Sequence, residues 1–150
     1  MWGTLFSLTN VIALIGWALL VGAPRKPLVH SVILYLCVAL LCLIYAVCFA
    51  LFLSGSVAPG GVPGAGAPGF GSIEQVRNLF MSDGGVVIGW THYLAFDLFT
   101  GLWIAKDADN KGFGRLIQVP FLIVTAMAGP IGLLAWLALR EPAARRHGRG

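Results

Sequence analysis

Four apolar runs, separated by polar or glycine-rich connections, decide what this chain can become. They cover roughly Leu5–Gly22, Leu28–Leu53, Gly85–Ala105 and Leu116–Leu139. At about 1.5 Å per residue, each is long enough to cross about 30 Å of hydrocarbon. Inside a bilayer every backbone N–H and C=O must be paired within the protein, so only helices and closed barrels span it. The sequence has no series of ten-residue segments with alternating polarity, which removes the barrel. The expected fold is all-α, a four-helix transmembrane bundle. Composition agrees, with 58% hydrophobic and 11% charged residues, where a soluble domain carries about 25% charged. A disordered chain is excluded, and an ordinary soluble enzyme is a poor fit.

The connections divide residues 1–140, the membrane domain, into parts. Ala23-Pro24-Arg25-Lys26-Pro27 is short and should close an antiparallel pair of helices. Residues 54–71 are rich in Gly, Ala and Pro and read as a flexible linker. Residues 72–82 place Ile73, Val76, Leu79 and Phe80 at helical spacing, which predicts a short amphipathic helix on the membrane surface. Ser82 or Asp83 should cap or precede the third span. The connection Lys106–Arg115 begins like a calcium loop at Asp107, Asp109 and Gly112. It then fails, because Lys111 and Gln118 stand at ligand positions, so it reads as a solvated turn. Residues 141–150 form a basic tail expected to be disordered.

The net charge is +4, but no basic stripe is interleaved with aromatics, so nucleic acid is not an expected partner. With four spans, Arg25, Lys26, Lys106, Lys111 and Arg115 share one side. Arg77, Arg140, Arg145, Arg146 and Arg149 share the other. The positive-inside rule then gives no orientation. The residues after Met1 show no basic region and no cleavage pattern, so the first run is expected to stay as a span. That points to a bacterial inner membrane, or a plastid membrane for a plant protein. Cys37, Cys42 and Cys48 share one apolar run and read as small buried residues. Trp2, Trp17, Trp90, Trp103 and Trp136 fall near predicted span ends, as interfacial anchors do.

The third run departs from plain hydrophobicity. Asp97 stands near its middle, where a carboxylate costs about 2.5–3.5 kcal/mol on insertion scales. Such a residue marks a functional site, or else a hydrogen bond to a neighbouring helix. His92 lies five residues earlier, about 140° round the helix and about 7.5 Å along it. One face therefore carries Trp90, Tyr93, Asp97 and Gly101, and another carries His92, Phe96, Phe99 and Trp103. Asn10 in the first run and Thr125 in the fourth could hydrogen-bond to this helix. Pro130 removes an N–H from the fourth run, so a kink is expected there. His30 and His92 open opposite ends of their spans and cannot share a metal, and no other ligand cluster is present.

The run Gly89-Trp90-Thr91-His92-Tyr93-Leu94-Ala95-Phe96-Asp97-Leu98-Phe99-Thr100-Gly101-Leu102-Trp103-Ile104 resembles the signature of the abscisic-acid-deficient-four-like family. Ser72–Phe80 looks like that family's amphipathic lead-in. Gly129-Pro130-Ile131-Gly132-Leu133-Leu134 looks like its last span, and Asn10–Leu20 is similar to its first. The plant member is associated with making neoxanthin from violaxanthin. The resemblance thus implies four spans and a carotenoid connection.

Two functions are compatible with these residues. In the first, the protein acts on a carotenoid or related isoprenoid by acid/base isomerisation of an epoxide end group, as a neoxanthin-synthase-like enzyme. That reaction needs one proton delivered and one removed, with no redox cofactor. Asp97 as acid and His92 as base are the intramembrane pair that could supply it. Trp90, Tyr93, Phe96, Trp103, Asn10 and Thr125 are the candidate substrate-binding residues. In the second, the protein is a non-catalytic pigment- or lipid-binding accessory. Expected partners are membrane lipids and a carotenoid or other long apolar ligand. Small residues at Gly16, Ala39, Gly89 and Gly101 leave room for close helix contacts within a homo-oligomer.

Overall fold

The computed structural model describes residues 1–61 and 66–147, with side chains to Arg140. Its described residues are all-helical: α1 (Trp2–Gly22), α2 (Pro27–Leu53), α3 (Ile73–Phe80), α4 (Asp83–Asn110), α5 (Arg115–Met127) and α6 (Gly129–His147). The expected linker carries neither helix nor strand in its described residues, and 62–65 lie outside them. The backbone of α6 continues as helix to His147, into the expected tail, and 148–150 lie outside the described residues.

α1 and α2 are long and apolar enough to cross a membrane. α4 has 28 residues, ample length, but its Trp90–Tyr93 stretch and Asp97 make it less apolar. It runs up the middle of the molecule. Trp2 meets Gly84 at one end of α1, Leu98 meets Gly16 in the middle, and Trp17 and Leu20 meet Gly101 further on. α1 and α4 are therefore parallel. α2 runs the other way, with Phe52 beside Gly84 and Tyr45 beside His92. At Gly16 an added Cβ would strike the side chain of Leu98 and approach Cys37. Glycine there lets three helices meet around the fully buried Leu98, and such close approach is how small residues drive helix packing without water. Gly16, Gly89 and Gly101 all face helices of their own chain.

The lead-in forms as predicted. Ser72 Oγ accepts from Gln75 N at 3.2 Å and starts α3. Ser82 Oγ accepts from Gly85 N at 3.0 Å and caps α4, which satisfies a donor left free at a helix start.

The expected fourth span is not one helix. α5 ends at Met127, Ala128 leaves helical geometry with φ −155° and ψ 76°, and α6 begins at Gly129. The chain then turns back on itself. Gly132 packs on Thr125, and the ring of Trp136 packs on Phe121 at 5.6 Å. Residues whose numbers sum alike lie opposite each other, the mark of an antiparallel pair. Pro130 cannot donate to the preceding turn, and glycines at 129 and 132 admit the close approach. The outcome is a helical hairpin rather than a kinked rod.

The open end of this hairpin is fastened to α4. Trp136 is fully buried, and its Nε1 donates to Asp107 Oδ2 at 2.9 Å. Arg140 Nε lies 3.1 Å from the same oxygen, and Lys111 Nζ lies 2.6 Å from Oδ1. Trp136 is thus core and not an interfacial anchor. Asp109 takes Gln118 at 2.7 Å and Arg25 at 3.8 Å. Both acids of the calcium-like turn are committed to protein partners.

Two measurements check this arrangement. In a background without the native cysteines, single cysteines at Leu116 and Leu139 should react with an impermeant reagent from the same side of a membrane. Reaction from opposite sides would restore the single span. Burial works against the Asp107 charge, but Lys111, Trp136 and Arg140 outweigh it and hold the carboxyl below the usual range. Its stabilisation is present above the ordinary Asp pKa and is lost as pH falls through the lowered value. Thermal unfolding should show that acid-side loss in the wild type and less of it in Asp107→Asn.

Candidate functional site

The middle of α4 holds the unusual polar residues, and the structure sends them to two separate places. Asp97 is buried and lies against the backbone of Gly129 at the tip of the hairpin. The carboxyl packs on Gly129, in the space a Cβ there would take, and its Oδ2 has no hydrogen-bond partner. The Tyr93 hydroxyl donates to the Met127 carbonyl at 2.7 Å. One α4 turn thus sets a carboxyl against the start of α6 and supplies a donor to the end of α5. Free N–H groups at a helix start and free carbonyls at a helix end are what a chain reversal leaves behind. A negative or acceptor group is favoured at the start of a helix. In lipid these groups have no water to turn to.

His92 looks elsewhere. Its ring lies 4.6 Å from Phe96 and 5.5 Å from Tyr45. It lines a cavity of about 200 Å³ between α2, α3 and the start of α4, with Phe49, Phe70, Leu79 and Phe80 among the walls. Phe96 stands beside it and also lines a larger cavity of about 470 Å³ along the seam of α2 and α4. Leu34, Tyr35, Val38, Ala39 and Cys42 form the α2 wall. Here α2 passes through a π-helical stretch, Ile33–Val38, in which Ala39 N bonds to Leu34 O. Single wide turns of this kind recur at functional sites. The two cavities follow one another along the seam with the His92–Phe96 pair at their junction.

The expected pair of His92 and Asp97 is therefore not brought together. The offset of about 140° on an ideal helix is preserved, and the hairpin occupies the carboxyl's side. Of the expected substrate-binding residues only Phe96 lines the seam. Trp90 Nε1 donates to Asn10 Oδ1 at 3.1 Å, and its ring stacks on Tyr93 at 5.3 Å, facing α1 and the hairpin tip. Thr125 is buried and bonds to Phe121 O at 2.7 Å, within its own helix. Trp103 lies under the Arg140 guanidinium at 5.4 Å. The seam also uses Tyr35, Tyr45 and Phe49, which a reading of the second run as uniformly apolar passes over. Their aromatic character was the available signal.

This arrangement falls within a region that a family model recognises. The ABA DEFICIENT 4-like model matches residues 4–136. The chain belongs to the ABA4-like family. The matched span takes in α1 to α5 and the first part of α6, so both the seam and the hairpin tip belong to the family region. No curated protein and no solved structure matches the chain. Among the described residues no cluster of three potential metal ligands occurs.

The contact of Asp97 with the start of α6 has a measurable consequence. Asp97→Leu should lose about 1–3 kcal/mol, the cost of stranding a buried partner, seen as a lower Tm in detergent. Asp97→Asn keeps a polar group of the same size against Gly129 and should melt near the wild type. Equal stability of the leucine variant would remove this role.

Proposed function

We propose that this ABA4-like protein is integral to a membrane and holds a carotenoid or related long isoprenoid in the α2–α4 seam. The observation that carries the reading is the apolar seam cavity of about 470 Å³, continued by a second cavity that presents one imidazole, His92. Ligand sites are apolar concavities with a few placed polar groups, and a polyene asks for little else. Family membership supports the carotenoid connection.

α1, α2 and α4 would cross the bilayer, and the α5–α6 hairpin would enter and leave from one side. Among the described residues, that side holds Arg25, Lys26, Lys106, Lys111, Arg115 and Arg140, and the other holds Arg77. By the positive-inside rule the basic end faces the cytoplasm.

The binding role is favoured over turnover because the acid and the imidazole face different surroundings. Isomerisation of an epoxide end group remains the second reading, supported by His92 in the wall of the seam. A neutral imidazole there could accept a proton from a bound polyene. Asp97 would contribute only if the end group reached round α4.

Expression in carotenoid-producing cells, with gentle purification and absorbance of the retained pigment, tests the proposal. The wild type should carry polyene. Ala39→Trp, which fills the seam, should lose most of it, while Leu14→Trp on the outer face of α1 should not. His92→Ala should keep bound polyene under the binding role and abolish product under turnover. A wild type without pigment, in cells that contain it, would refute the reading.

A further inference from the structure

A third cavity, of about 270 Å³, opens at the basic end. Its walls are Pro27, His30, Ser31 and Leu34 of α2 and Lys106 of α4. Leu34 is also a wall of the seam cavity. One leucine is thus common to the seam cavity and to a pocket whose rim carries Lys106, His30 and Ser31.

The cation of this pocket, Lys106, lacks a counterion among the described residues. His30 Nε2 is buried there without a hydrogen-bond partner. Asp109 is the nearby carboxylate, and it is already engaged by Gln118 and Arg25. Asp107 is engaged by Lys111, Trp136 and Arg140. Cations therefore outnumber carboxylates at this end, and the two nearest acids are both in use.

We infer that this pocket and the adjoining seam hold one anionic membrane phospholipid, its phosphate at Lys106 and Ser31 beside the His30 ring and one acyl chain past Leu34 along α2. The charge matches a phosphate. The lysine, with its long stem, sits where such side chains reach headgroups. Basic pockets between helices on the cytoplasmic side bind anionic headgroups by the same chemistry. A seated acyl chain would occupy the cavity assigned to the polyene, so the lipid is a competitor that the polyene displaces. The inference rests on the membrane placement proposed above, not on the identity of the pigment.

The test uses the full chain in nanodiscs of phosphatidylcholine containing a small share of phosphatidylglycerol, with native mass spectrometry of the lipid retained on extraction. The wild type should keep one phosphatidylglycerol in preference to phosphatidylcholine. Lys106→Gln should weaken retention about fivefold, the worth of one basic residue at a membrane surface. Leu34→Trp should weaken it by closing the passage, and Arg77→Gln at the far end should not. Should Lys106→Gln fail to fold, retention by the wild type should still fall with rising salt. Equal retention of both lipids, or full displacement by inorganic phosphate alone, would overturn the inference. Retained lipid without pigment would leave it standing and sink the polyene reading. Loss of the preference for phosphatidylglycerol in these pigment-free discs would sink the lipid inference and leave the polyene reading to its own test.

Discussion

The fold turns on one constraint, that a helical chain reversing against its neighbours leaves open backbone groups that those neighbours must answer. Here α4 supports the reversal. Tyr93 donates to the carbonyl of Met127, and the Asp97 carboxyl packs on Gly129. These residues stand one turn apart on the same face, so a single stretch of α4 serves both sides of the reversal. Gly129 is essential to the fit, because any Cβ there would occupy the space of the carboxyl. The buried acid thereby has a structural use.

That use divides the labour round α4. The side bearing Trp90, Tyr93 and Asp97 is filled by α1 and the hairpin tip. The side bearing His92, Phe96 and Phe99 has α3 beside its first turns and then α2, which widens there through its π-helical turn. Space for a ligand exists on the second side because the hairpin reaches only the first. The aromatic residues of the signature run are accordingly split between packing and lining, and adjacency in the sequence says little about which does which.

Helix content, the amphipathic α3, the Ser82 cap and the antiparallel α1–α2 pair could all be read from spacing and capping chemistry. The family could be read from the long run Gly89–Ile104. The reversal at Ala128 could not. A proline beside a glycine signals a break, but the angle of the break depends on contacts more distant in sequence. Trp136 with Asp107 and Gly132 with Thr125 are such contacts. The same blind spot hid the true position of Arg140, and with it the charge asymmetry of the two ends. For the site, the wheel geometry of His92 and Asp97 was legible and correctly set them apart. Which of them would face open space was not, because that depends on where α5 and α6 lie.

The hairpin also has a consequence for how the protein is made. α5 has 13 residues, about 20 Å of helix, well short of a bilayer core. Neither arm is a stop-transfer sequence in its own right, and the tip exposes unpaired amides until α4 receives it. On the membrane placement proposed above, the last quarter of the chain would enter as one unit, after α4 is in place to receive it.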